Sequence, residues 1–186
     1  MVTVQYPAIG LVELNSIARG IEVCDAMMKV AEVKLIEAHP ICAGKYMVLI
    51  TGDVDAVRTS VQRGQEVGEQ NIVDTLLIPN VHPQVAPALK ASTVVEGLEA
   101  LGVIETFTAA SAIRAADVAV KEADVQLLEI RLANGMGGKS FLTVTGIVGA
   151  VQSAVRAGID LIRDEGLLVH SVVIPSPHES MSRVVI

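Results

Sequence analysis

Aromatic side chains are nearly missing: 186 residues include two phenylalanines, two tyrosines and no tryptophan. The apolar half of the composition, 51%, is therefore mostly Ala, Val, Ile and Leu. Such residues build thin, closely packed layers more readily than a deep aromatic pocket. Cysteine is scarce too. Cys24 and Cys42 do not make a disulfide framework in a chain of this length, and each needs its own account. No basic run accompanies the net charge of -7, and the few aromatics are not interleaved with Lys or Arg. Nucleic acid is thus not an expected partner. No apolar run reaches the roughly 18 residues needed to span a bilayer, and the N-terminus lacks a basic flank followed by an apolar core. The expectation is a soluble cytoplasmic protein with no membrane partner. A Ser-His-Asp set, a paired-carboxylate site and a His-Glu-x-x-His motif are all lacking, so an enzyme is not expected.

What is present is a repeat, sought before any local motif because it reorganises the whole reading. Gly10, Glu13, Ala18, Asp25, Lys29, Ala31, Val33 and Leu35 recur 92 positions later, from Gly102 to Leu127. The offset then becomes 94, pairing Gly44, Lys45, Gly52, Val54, Ala56, Val57, Val61 and Gly64 with the run Gly138 to Gly158. Near the end it is 96, where Ile78, Pro79 and His82 match Ile174, Pro175 and His178. Two copies of one domain follow, about 8–90 and 100–186, joined by a short linker from Lys90 to Leu101.

Each copy reads β-α-β-β-α-β. In the first, Ala8 to Leu14 alternates and is β-rich, and Asn15 or Ser16 can cap a helix whose apolar stripe is Ile17, Ile21, Cys24 and Met28. That helix ends near Ala31. Val33 to Ala38 and Tyr46 to Thr51 read as strands around a short loop, Gly52-Asp53 opens a second helix, and Val73 to Ile78 is a last strand stopped by Pro79. The fold class is α/β in the α+β sense: two tandem ferredoxin-like domains, each with its helices on one face of an antiparallel sheet. Cys24, on the helix stripe, is expected in the core.

The loop in the first copy is His39-Pro40-Ile41-Cys42-Ala43-Gly44-Lys45, and its counterpart is Leu132-Ala133-Asn134-Gly135-Met136-Gly137-Gly138-Lys139-Ser140. The second is two residues longer and has no thiol. Its Gly-Lys-Ser ending suggests a phosphate loop, but Ala133 stands where that motif needs Gly, and Phe141 to Thr145 continues as a strand instead of a helix. The glycines are better suited to letting loops approach one another closely. From residue chemistry alone, Cys42 admits an unligated thiol, or a mixed nitrogen and sulfur site such as zinc with His39. Glu13 and Glu105 repeat on strands without an evident partner, which suggests a solvent-facing or interface role.

The repeated Asp-x-x-x-Lys, the Gly-Lys opening a strand, Gly-Asp-Val-x-Ala-Val at 52 to 57 and Ile-Pro-x-x-His resemble the bacterial microcompartment (BMC) shell domain, over both copies. The resemblance implies a structural shell tile within the cytoplasm, a homotrimer that imitates a hexagon and packs with other shell proteins. It also implies a central pore framed by Ile41, Cys42, Ala43 and Gly44 with Gly135, Met136, Gly137 and Gly138. The loop is similar to that of the propanediol-utilisation type, in which three pore cysteines hold an iron-sulfur cluster; Cys42 is the matching residue. A [4Fe-4S] cofactor, one per trimer, and electron transfer across the shell with an enclosed redox enzyme as partner are then expected. The alternative is a tile whose pore gates a small metabolite, with Cys42 unligated. At tile edges the family role falls to Lys29 and Lys121, with Asn80 and Ser176 where many relatives carry an Arg.

Overall fold

A computed structural model describes residues 7–95 and 97–183. Strand β1 (Ala8–Leu14) leads into α1 (Ile17–Val30), then β2 (Lys34–Ile41), β3 (Lys45–Gly52), α2 (Val54–Gly68) and β4 (Ile72–Pro79). A short helix α3 (Val85–Leu89) follows. The pattern then repeats as β5 (Ala100–Thr106), α4 (Ala109–Glu122), β6 (Gln126–Arg131), β7 (Ser140–Gly146), α5 (Val148–Arg163) and β8 (Leu168–Ile174). Two compact units result. One contains residues 7–81 with Ala133–Gly138, the other 82–132 with 139–183. Residues 82–89, placed with the first copy by the sequence repeat, thus group with the second unit, and the long loop of the second copy groups with the first.

In the first unit the antiparallel sheet has the order β2-β3-β1-β4. Ser16 caps α1, its side chain accepting the Arg19 N–H at 3.3 Å, so one orphan donor of the first turn is satisfied. Ala8, Val12 and Leu14 of β1 pack with Val23 and Met27 of α1, Val48 and Ile50 of β3, and Val57 and Val61 of α2. Gly10 lies between these positions because α2 rests directly on it: a Cβ there would sit 2.5 Å from Val61 Cγ2 and 2.7 Å from Val57 Cγ1. Cys24 is half-buried against this cluster and not inside it.

The second unit repeats the order as β6-β7-β5-β8, with Thr108 capping α4 by accepting the Ser111 N–H at 3.1 Å. Gly102 occupies the place of Gly10, and a Cβ on it would meet Val155 at 2.7 Å and Val151 at 2.8 Å. The repeated glycines thus record the same helix-on-strand approach twice. Here α3 adds a piece without counterpart in the first unit, lying along β6. Among the described residues, no helix is long and apolar enough to cross a membrane.

Candidate functional site

The first-copy loop is a tight hairpin. Ile41 pairs with Lys45 at the ends of β2 and β3, leaving Cys42, Ala43 and Gly44 as a three-residue turn. Gly44 supplies the left-handed residue such a turn needs, at φ 76°. Ile41 is buried, Cys42 is half-buried, and Ala43 and Gly44 are exposed.

The segment Ala133–Gly138 lies against this turn. The Cys42 N–H donates to the Ala133 carbonyl at 3.0 Å, and the Gly135 N–H donates to Cys42 Sγ at 3.2 Å. Gly138 has φ 90°, and a Cβ on it would stand 3.0 Å from the Cys42 carbonyl oxygen. The glycine therefore provides both the backbone conformation and the clearance that the contact requires. Gly138 is buried, Met136 half-buried, and Gly135 and Gly137 exposed. The residues named as pore loop from the sequence are thus brought together in one unit, beside the Cys42 thiol.

Beneath the turn is an ion pair that the sequence reading missed. Glu13 on β1 is fully buried and pairs with Lys45 at the start of β3, whose Nζ also donates to the Gly138 carbonyl at 3.3 Å. Glu13 faces Met47 across the strands, so Lys45, two residues earlier, is its diagonal neighbour on the same sheet face. Glu105 faces Phe141 and pairs with Lys139 at 2.5 Å by the same diagonal. The solvent-facing or interface role expected for Glu13 is therefore corrected: it anchors the cysteine loop from inside the sheet. The signal was available, since the Glu and the Lys each recur in the repeat.

His39 is turned to other partners. Its Nε2 lies 3.1 Å from Glu37 and its Nδ1 3.1 Å from the Pro40 carbonyl. Both neighbours are acceptors, and a neutral ring has one N–H to donate to one of them. Among the described residues, no group of three His, Cys, Asp or Glu could hold a metal within one chain. The tile-edge residues lie elsewhere. Lys29 reaches Asp25 at 2.6 Å and Lys121 reaches Asp117 at 2.5 Å, each one helical turn apart. Asn80 is exposed with its N–H on the Pro7 carbonyl at 2.8 Å, and Ser176 is exposed. Cys24, by contrast, is a structural thiol: burial, with Asp25 beside it, pushes its pKa up and away from reactivity.

Comparison with known proteins now fits this geometry. The BMC domain profile matches residues 8–81 and again 100–177. The chain belongs to the BMC-domain family. It is 43% identical over 176 residues to the bacterial microcompartment shell protein PduT of Citrobacter freundii, covering 95% of this chain and 96% of the other. It is 28% identical over 182 residues to the carboxysome assembly protein CcmO of Synechocystis, covering 90% and 61% of the two chains. A crystal structure of a microcompartment protein from Desulfitobacterium hafniense superposes with a TM-score of 0.85 at 55% identity, covering 95% of this chain and 98% of that one. The fused permuted hexameric shell protein MSM0275 of the RMM microcompartment, at 21% identity and a TM-score of 0.61, shares the fold. This BMC-domain chain is accordingly a structural protein of a bacterial microcompartment shell.

Proposed function

We propose that this BMC-domain protein forms a homotrimeric tile of six domains, and that Cys42 of three subunits holds one [4Fe-4S] cluster at a central pore, through which electrons cross the shell. The supporting observation is the environment of Cys42. Its sulfur lies at a hairpin tip, half-buried, and accepts a backbone N–H from Gly135 at 3.2 Å. Thiolates are the usual protein ligands of such clusters, and hydrogen bonds to sulfur are among the levers that set their potential. The donor chemistry therefore fits, and the count fits only between copies: the second-copy loop has no thiol, so one chain offers one ligand and a threefold axis offers three.

When bound, the cluster supplies one-electron transfer. The chain's own part is positioning. Cys42 is the ligand, Gly135 N–H steadies its sulfur, and Ala133 and Gly138 hold the turn from above while Lys45 and Glu13 fix it to the sheet from below. Neighbouring shell proteins and an enclosed redox enzyme are the corresponding partners. The second reading, a tile whose pore gates a small metabolite with Cys42 unligated, is favoured by the small exposed residues Ala43, Gly44, Gly135 and Gly137 at the loop tips.

Protein purified without oxygen decides between them. Visible absorption with about four irons and matching sulfide per trimer, both lost in Cys42→Ser, is the expected result. A trimer that stays colourless and free of iron after anaerobic reconstitution overturns the cluster and leaves small-molecule passage as the function.

A further inference from the structure

The two loops hold Cys42 through a reciprocal pair of hydrogen bonds. Cys42 N–H donates to the Ala133 carbonyl at 3.0 Å, and Gly135 N–H returns to Cys42 Sγ at 3.2 Å. Residue 42 and residues 133–135 thereby close one ring, so the backbone of the turn and the direction of its sulfur are fixed together. The ring needs an unusual backbone. Ala133 has φ 39° and Gly135 φ 74°, which puts two of the three brace residues in the left-handed region, one of them with a Cβ. Ala133 is also fully buried. Such an outlier persists only where the surroundings over-determine it, and what it positions is the matter of interest. Here that is one backbone N–H on one sulfur.

The charges of the two loops are already balanced. From Ile41 to Lys45 and from Ala133 to Lys139, the charged residues are the two lysines alone. Lys45 is held by the buried Glu13 and gives a further donor to the Gly138 carbonyl, and Lys139 is held by Glu105 at 2.5 Å. Each pair is neutral as a whole, so neither presents a net positive charge to Cys42. The polar group that the structure aims at the sulfur is the Gly135 amide.

We propose that the Gly135 N–H sets the reduction potential of the site: through it the second-copy loop raises the potential of a cluster held by Cys42, so that a milder one-electron donor suffices to reduce it. The inference rests on the cluster reading above and assigns its regulation to a residue of the other repeat. Reduction by one electron adds negative charge that the sulfur ligands share, and a hydrogen bond strengthens as its acceptor becomes more negative. The N–H therefore stabilises the reduced form more than the oxidised one, by the same logic that makes a hydrogen bond to the charged form of an acid favour that form. A threefold axis turns one such donor per chain into three per site, one on every thiolate. No bond is made or broken at Gly135, and one electron enters from the donor and leaves to the acceptor. The residue touches the ligand sulfur and acts through it, which makes it a positioning residue.

The test removes the N–H and nothing else. Full-length chain is made by cell-free translation with glycolic acid in place of Gly135, which exchanges the amide for an ester and keeps the freedom of a residue without a Cβ. A second chain carries the same exchange at Gly137, two residues from the donor, as the control for an ester in this loop. Each is reconstituted without oxygen beside the unsubstituted protein, and iron content and a spectroscopic redox titration are recorded. The ester at 135 is expected to bind iron as the unsubstituted trimer does and to favour the oxidised form by about tenfold at a fixed applied potential, a downward shift of about 59 mV for one electron. The ester at 137 should leave the midpoint unchanged. A 135 ester that takes up full iron at an unchanged midpoint, that loses its iron, or that shifts no further than the 137 ester overturns the tuning role while the cluster stands. Unsubstituted protein that stays free of iron overturns the cluster and this role with it.

Discussion

Replacing Lys45 by methionine keeps much of the side chain's length and removes its charge, leaving the Glu13 carboxylate inside the sheet without that cation. Glu13 is 0% exposed and the Lys45 side chain 16%, so water can do little to compensate. Breaking a buried pair from one side costs about 3–5 kcal/mol, most of it the penalty of the stranded charge. The repeat provides an internal control: the Glu105 and Lys139 side chains are 33% and 43% exposed, and a pair that accessible contributes about 1 kcal/mol or less. At about 2–4 °C per kcal/mol for a chain of this size, Lys45→Met should lower the melting temperature by about 10 °C and Lys139→Met by no more than about 4 °C. Glu13→Gln with Lys45→Met should recover most of the loss, because no buried ion remains. Thermal and urea denaturation, each followed by far-ultraviolet circular dichroism, measure all four proteins. Equal losses at the two lysines, or a Lys45→Met loss under about 1 kcal/mol, would refute the reasoning from burial.

Two further outcomes concern the cysteines. Gly138→Ala places a Cβ 3.0 Å from the Cys42 carbonyl oxygen at φ 90° and should cost about 1–3 kcal/mol. It should also shift the 133–138 segment off the turn, raising the rate at which Cys42 reacts with a maleimide. Gly137→Ala has open space and φ 63°, so it should cost about 1 kcal/mol and leave that rate alone; equal rates in the two variants would contradict the packing argument. Burial, with Asp25 adding to it, pushes the Cys24 thiol up, so the folded chain holds this proton more tightly than the unfolded one. That contribution is complete below the unfolded thiol value of about 8.5 and is lost as pH rises through the higher folded value. Cys24→Ala, which installs the residue found at the matching Ala116, should flatten the alkaline limb of stability; an unchanged limb counts against the assignment.

Much of the fold was legible because the repeat multiplies weak signals. Gly10 alone is one glycine in a strand, but Gly10 and Gly102 together mark the place where a valine-lined helix rests on the first strand of each sheet. Ser16 was readable as a cap because it precedes the apolar stripe directly. The anchor under the cysteine loop was not read, since it depends on strand register: Glu13 meets Lys45 only because Glu13 lies opposite Met47. Alternation also misled there, because every residue of β1 is buried and the strand has no wet face for a carboxylate. The seating of Ala133–Gly138 on Cys42 joins residues about ninety apart, and no local pattern in either loop reports it. The partner of the Ile-Pro-x-x-His motif was hidden for a related reason: the acceptor of the His82 N–H is Asp117, in the other repeat.

The fusion of the two copies changes what mutation can reach. In a ring of identical single-domain subunits, any substitution in the hairpin tip is imposed on every position around the axis at once. Here one copy ends in a three-residue turn with a thiol, while the other is two residues longer, has no cysteine and serves as a glycine-rich brace for its sibling. Duplication has thereby uncoupled the thiol from its support. The site can be retuned through Gly135 or Gly138 without touching Cys42, a separation of variables that an unduplicated ancestor could not have had.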